Sequence, residues 1–240
     1  MSDRSSSSAA ATHPGSALVV GASRGLGLGT TAELLRRGTR VVATVRGDVP
    51  AALHEVADGA AGRLLVERLD IDDPVQISAL GDRLARWTFD LVLVNAGVTH
   101  DQQLTAATMS TEEFSRVLVT NALSPMRVVE QLSHLVAPLG TIAVMSSGQG
   151  SVSGNHGGGW EVYRASKAAL NQLMRSYAAR QPEQRTLLLL APGWVRTDLG
   201  GPQAGSTVEE AVPPLLDTVQ AQQGRPGLQF IDRDGRPVAW

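Results

Sequence analysis

A chain of 240 residues with 42 % hydrophobic residues and a net charge of −2 can bury the core of one α/β domain and carries no surplus charge for a polyanion. Its arginines are scattered and it has only four Trp, two Tyr and three Phe, which argues against a nucleic-acid partner. The absence of cysteine excludes disulfides, thiol nucleophiles and cysteine metal sites, and apolar runs as short as 187–190 cannot cross a bilayer.

Residues 1–16 are rich in Ser and Ala and lack the apolar stretch of a secretory signal, so they read as a disordered tail on a cytoplasmic protein. A first strand is predicted over 17–20, ending at Gly21. A helix follows over 26–37, with Leu28, Ala32 and Leu35 on one side and Gly38 as its stop. Residues 40–45 are a β-branched second strand, 63–69 a weaker third and 91–94 a compact fourth. The stretch 111–135 contains a helix that Pro125 bends or divides. A fifth strand over 141–145, a helix over 162–179, a sixth strand over 185–190, a helix over 208–219 and a seventh strand over 227–232 complete the series. No repeat or linker divides 17–240, which reads as one domain.

Continuous apolar strands separated by helices suit a doubly wound α/β fold, a mostly parallel seven-stranded sheet covered on both faces. Ligands of such sheets bind beyond the carboxyl ends of the strands. Polar clusters occupy those places here: Asn95-Ala96-Gly97 after the fourth strand, Ser146-Ser147 after the fifth, and 192–197 after the sixth.

The turn after the first strand reads Gly21-Ala22-Ser23-Arg24-Gly25-Leu26-Gly27. Gly21 permits a sharp turn, Gly25 lets backbone approach a pyrophosphate and Gly27 allows a helix to pack closely, while the helix N-terminus offers free N–H groups to phosphate. No Gly-Lys-Ser/Thr follows, so this is not a nucleotide-hydrolase loop. At the end of the second strand an acid would select a free ribose 2′-hydroxyl; the residues are Thr44, Val45 and Arg46. Arg24 and Arg46 could converge on a 2′-phosphate, favouring NADP, or be solvated surface groups, and Asp48 leaves NAD open. Asp70 and Ile71, after the third strand, could receive an adenine, although Asp70 equally suits a turn.

Lys167 is the only lysine, and it stands four residues after Tyr163 on a predicted helix, which puts both on one face. A phenol is too weak an acid for easy proton exchange at neutral pH, and a nearby ammonium favours its ionised form. The pair then suits proton delivery to a carbonyl oxygen as hydride arrives, or the reverse. Ser147 is the chosen donor to that oxygen, with Ser146 its rival. Asn121 lies in a predicted helix, where Asn is unfavourable, and could hold a water on a proton path from Lys167. The five histidines show no metal spacing, and no metal is expected.

These residues together resemble the short-chain dehydrogenase/reductase family over 17–240. The glycine turn is similar to the family's cofactor-binding turn, Asn95-Ala96-Gly97 to its Asn-Ala-Gly element, and Tyr163 to Lys167 to its Tyr-x-x-x-Lys signature. The resemblance implies a catalytic tetrad of Asn121, Ser147, Tyr163 and Lys167. It implies cofactor contacts from Gly21, Ser23, Arg24, Gly25, Leu26, Gly27, Arg46, Asp70, Ile71, Asn95, Ala96, Gly97, Tyr163, Lys167, Pro192, Gly193, Val195 and Thr197. The stretch 158–170 and the ending 232–240 resemble the branch of the C-signal protein and the sniffer carbonyl reductase. That branch implies NADPH-dependent reduction of an aldehyde or ketone. A regulatory or signalling protein with vestigial activity and an alcohol dehydrogenase running oxidatively are the alternatives. Val94 replaces the first Asn of the family's usual Asn-Asn-Ala-Gly, and Ser147 lies farther ahead of Tyr163 than is usual. The partner is a small carbonyl or alcohol, with self-association into a homodimer or homotetramer left open.

Overall fold

The strand residues are apolar at odd and even positions alike, so each strand must bury both of its faces. The computed structural model describes residues 14–181 and 185–240 and shows how this is met. Strands β1 (Ser16–Val20), β2 (Arg40–Val45), β3 (Leu64–Arg68), β4 (Phe89–Val94), β5 (Val136–Met145), β6 (Thr186–Ala191) and β7 (Gly227–Asp232) form one sheet. Its order is β3-β2-β1-β4-β5-β6-β7, and every pairing is parallel rather than most of them.

Among the described residues seven α-helices cover the sheet: α1 (Gly25–Arg36), α2 (Ala51–Asp58), α3 (Pro74–Arg83), α4 (Thr111–Leu118), α5 (Ser124–Leu132), α6 (Glu161–Arg180) and α7 (Val208–Gln222). Leu18 and Val20 of β1 pack on one side with Ile77 of α3, Val128 of α5 and Leu170 of α6. Ala17 and Val19 pack on the other with Leu34 of α1 and Leu215 of α7. Each fully buried Leu or Val contributes roughly 1.5–3 kcal/mol relative to exposure.

Helices α2 and α3 were not expected. In α2 only Leu53 is buried, so no apolar period marks it. In α3 the signals are at the start: Asp73 accepts from the N–H groups of Val75 and Gln76, and Pro74 opens the first turn. Strand β5 begins at Val136 rather than at 141, because Phe89 pairs with Val136 across a register irregularity. The seventh strand matches its expected range. The expected tail ends early, since Ser16 already belongs to β1; its residues 1–13 lie outside the described residues.

The expected interruption near Pro125 is a π-helical segment, Val119–Leu123, between α4 and α5. The backbone stays helical throughout, and Pro125, which has no N–H to give the preceding turn, stands just after the widened π turn. Asp72 pins this segment by accepting from Thr120 Oγ1 and Ser124 Oγ, each at 2.7 Å.

From β1 the chain builds outward to β2 and β3, then crosses back to lay β4 on the other side of β1. The carboxyl ends of β1 and β4 therefore flank the point where strand order reverses, the expected crevice for a ligand. Among the described residues no helix is long and apolar enough to cross a membrane, and no group of three or more His, Asp or Glu could hold a metal.

Candidate active site

At that crevice opens a cleft of about 1600 Å³. Of the residues expected at the site, all but Gly27 and Asn121 line it. Those two lie just behind the wall.

The glycine turn owes its shape to close packing. Gly21 has φ +88°, and a Cβ there would meet the Ala96 nitrogen at 2.8 Å. A Cβ on Gly27 would collide with the Gly21 carbonyl oxygen, so this residue lets α1 sit against the turn. Asn95 closes the corner: its Nδ2 donates to the Gly21 carbonyl at 3.0 Å, joining the end of β4 to the end of β1. Thr44 Oγ1 accepts from the Gly21 N–H at 3.1 Å.

Helix α1 has no side-chain cap and no acid in its first turn. Its free N–H groups and positive end of the helix dipole therefore remain for an anion, and a pyrophosphate fits this end. Arg46 is exposed at the mouth of the cleft and no carboxylate stands at the end of β2. Arg24 is differently placed from the expectation, since its guanidinium pairs with Asp198 beyond β6. Asp70 accepts from the Asp72 N–H at 3.0 Å and its own N–H donates to Gln76, so it shapes a turn while lining the cleft. After β6, Gly193 takes φ +85° and Thr197 Oγ1 accepts from the Gly200 N–H at 3.0 Å, folding the segment over the cleft.

Two adjacent serines end β5 and face different partners. Ser146 is buried and donates to Asn171 Oδ1 at 2.6 Å. Ser147 accepts from the Gln149 N–H at 3.1 Å, and its hydroxyl lies beside the Tyr163 phenol, where it favours the ionised form. The Ser147 hydroxyl has one hydrogen, directed at the phenol oxygen, and it can turn to a ligand oxygen placed beside Tyr163. The longer stretch between Ser147 and Tyr163 is taken up by a 3₁₀ turn, Gly148–Gly150, and a glycine-rich loop.

Tyr163 is buried, and burial pushes its phenol up to about 12, opposed by the bond with Ser147. The expected lowering by Lys167 is not found. Nζ lies 5.9 Å from the phenol ring centroid and donates to the Met145 carbonyl at 2.9 Å. Burial brings the lysine down to about 8. An ammonium has three donors, so two remain for a ligand in the cleft, a fit for ribose hydroxyls.

Asn121 is fully buried at the centre of the π-helical segment. Its Oδ1 accepts from the Val98 N–H and its Nδ2 donates to the Val98 carbonyl, each at 2.8 Å, and to Ser166 Oγ at 3.0 Å. The side chain thus secures the strand-end loop to α6 and has no free donor for a water. A Cβ on Gly97 would lie 3.2 Å from Asn121 Oδ1 and 3.7 Å from Lys167 Nζ, which shows how closely these groups gather.

Sequence reasoning missed Ser166, whose hydroxyl donates to the Tyr163 carbonyl at 2.7 Å, and His100, which accepts the Tyr163 N–H at 3.0 Å. Ser166 sits inside the Tyr-x-x-x-Lys segment, and its spacing of three from Tyr163 on a helix was a usable signal. His100 is 63 residues away and carried none.

Comparison with known proteins agrees with this geometry. Residues 16–205 match the family model described as short chain dehydrogenase. A short-chain dehydrogenase/reductase of Burkholderia multivorans with bound NADP is 51 % identical, with a TM-score of 0.92, over 94 % of this chain and 99 % of that one. A carbonyl reductase of Pseudomonas aeruginosa PAO1 in complex with NADP is 36 % identical, with a TM-score of 0.86, over the same shares of the two chains. The carbonyl reductase Sniffer of D. melanogaster is 26 % identical, with a TM-score of 0.84, again over 94 % and 99 %. The chain belongs to the short-chain dehydrogenase family and is an oxidoreductase of that kind.

Proposed function

We propose that this protein is an NADPH-dependent reductase of small aldehydes or ketones, with Tyr163 as the proton donor. The observation that carries the reading is the meeting of three side chains on the wall of the cleft: the buried Tyr163 phenol, Ser147 beside it, and Lys167, whose Nζ lies 5.9 Å from the phenol ring centroid. Burial keeps the phenol protonated until a negative oxygen forms beside it, and an alkoxide is a strong enough base to take that proton. Relatives named carbonyl reductases, and two related structures holding NADP, support the same reading.

When bound, NADPH supplies the hydride that adds to the carbonyl carbon. Ser147 donates to the carbonyl oxygen and fixes it beside Tyr163, strengthening its bond as negative charge develops there. Tyr163 passes its proton to that oxygen. The Lys167 ammonium then faces a phenolate in a buried setting, where its attraction is much stronger than in water. The uncapped end of α1 would hold the pyrophosphate, and Arg46 would hold the 2′-phosphate. Arg24, now paired with Asp198, would be the second arginine within reach of that phosphate.

Phe114 on α4, Leu123 in the π-helical segment and Leu173 on α6 are exposed apolar residues. They support self-association through these helices, which sedimentation would detect.

The test is NADPH oxidation, followed optically, with a panel of aldehydes and ketones and with NADH as the rival donor. Turnover with NADPH is expected; NADPH binding without turnover on any member of a broad panel would overturn the reading.

A further inference from the structure

Helix α6 begins without a cap of its own. Trp160 at its N-cap adopts φ 52° and offers no side-chain acceptor. The first N–H groups of a helix have no partner within it and must find one elsewhere. That of Tyr163, the third helical residue, donates to His100 Nε2 at 3.0 Å in a buried contact.

The other ring nitrogen fixes the state of the imidazole. His100 Nδ1 lies 2.7 Å from the Asp101 carbonyl oxygen. A carbonyl only accepts and a backbone N–H only donates, so Nδ1 carries the hydrogen and Nε2 the lone pair. One neutral tautomer satisfies both contacts. The ring is 6 % exposed, and Trp160 packs at 6.2 Å from both His100 and Tyr163.

The Tyr163 main chain is held at its other end as well. Its carbonyl accepts from Ser166 Oγ, which in turn accepts from Asn121. His100 therefore supplies one jaw of a clamp whose other jaw is already tied to the catalytic region. The loop carrying His100 is itself anchored to α6, since the Ala106 N–H donates to Glu161 at 2.8 Å.

We propose that His100 is a positioning residue for proton transfer: as the neutral Nδ1–H tautomer it caps α6 at Tyr163 and sets the place of the phenol against Ser147. This rests on the reading of Tyr163 as proton donor. His100 is not among the residues that line the cleft. Its effect runs through the backbone of Tyr163.

Protonation replaces the Nε2 lone pair with an N–H aimed at another N–H, so the clamp opens when the ring becomes charged. The charged and titratable groups around it are Glu113 and Arg116 on α4, Glu161 and Tyr163 on α6, and Asp101 beside it. Glu113 and Arg116 pair with each other, Arg116 also donates to the Thr99 carbonyl, and Glu161 is engaged by Ala106. None of these offers the Tyr163 N–H a second acceptor.

The experiment compares wild type, His100→Leu, His100→Gln and Tyr163→Phe for kcat, KM, NADPH affinity and melting temperature across mildly acidic to mildly basic pH. Leu fills the space without an acceptor; Gln keeps an acceptor that does not titrate. For His100→Leu, kcat is expected to fall about 10- to 100-fold with KM and NADPH affinity nearly unchanged. His100→Gln is expected to recover kcat to within about threefold. A purely structural role would lower the melting temperature of His100→Leu and leave kcat intact below it, and that result overturns the proposal. So does a His100→Gln variant whose kcat is no higher than that of His100→Leu. Undiminished turnover in Tyr163→Phe would instead defeat the reading of Tyr163 while leaving the cap in place.

Discussion

The Lys167 ammonium rests on the carbonyl oxygen of Met145 at 2.9 Å, which ties α6 to the end of β5 immediately before the two serines. A nearly buried charge with a single protein partner is costly, and burial lowers its ionisation to about 8. The fold accepts a destabilising group at the place where chemistry needs one.

Removing that charge should therefore raise stability while destroying activity. Lys167 titrates near 8 when folded and near 10.5 in its ordinary state. Between these values the folded chain binds fewer protons than the unfolded one, so stability increases with pH there and is lost as pH falls through 8. The shift corresponds to about 3 kcal/mol. Lys167→Met is expected to gain most over wild type at neutral pH and least near pH ~10, as read by urea denaturation; an equal gain at both would contradict the assignment. The upward shift of Tyr163 acts only above its ordinary value of 10.0, so it overlaps this window only at its upper end and is common to both proteins.

The same ionisation should appear in turnover. If the ammonium stabilises the phenolate formed at Tyr163, reductive kcat/KM declines as pH rises through about 8. Arginine stays protonated throughout, so in Lys167→Arg that decline should be absent from whatever activity remains. A decline unchanged in the variant would assign it to another group.

The two serines should separate cleanly. Ser147→Ala removes the donor beside Tyr163 and is expected to lower kcat by about 10²- to 10³-fold. Ser146→Ala loses the bond to Asn171 and should cost about 1–3 kcal/mol of stability with kcat little changed. Steady-state kinetics and thermal melts of both variants decide the matter.

Cofactor choice should respond to charge at the end of β2. Arg46→Asp replaces a phosphate ligand with a repelling carboxylate and is expected to weaken NADPH by about 10- to 100-fold while leaving NADH within a few-fold. Titration calorimetry with both dinucleotides reads this directly. Equal weakening of the two would remove Arg46 from the 2′-phosphate.

The glycine turn makes a purely steric prediction. Gly27→Ala drives a methyl into the Gly21 carbonyl, and should cost about 1–3 kcal/mol or more and impair NADPH binding. Gly47→Ala, where nothing lies within 4 Å and φ is ordinary, is its control; stability there should stay within about 0.5 kcal/mol or rise. Denaturant titration of the pair tests the contrast.

What could be read in the sequence depended on whether a feature was local. Strand β7 and the turn at Gly21 to Gly27 are written in contiguous residues, and both were legible. Helix α2 buries only Leu53, too little for a period, and the start of β5 is hidden by Pro138 and Gly140 although Val136 already pairs with Phe89. The unfavourable Asn121 was noticed, but the π-helical segment that accommodates it depends on Asp72 reaching across from the end of β3. His100 at Tyr163 and Arg24 at Asp198 are encounters between distant segments, and no pattern along the chain announces them.

The central claim is that Tyr163 delivers the proton. Tyr163→Phe keeps the ring that packs against Trp160 and removes only the hydroxyl. Single-turnover NADPH oxidation with a reactive aldehyde, alongside NADPH affinity, is the direct measurement. The expected result is a rate lower by about 10²- to 10⁴-fold with affinity within about threefold of wild type. A rate equal to that of wild type would contradict the account.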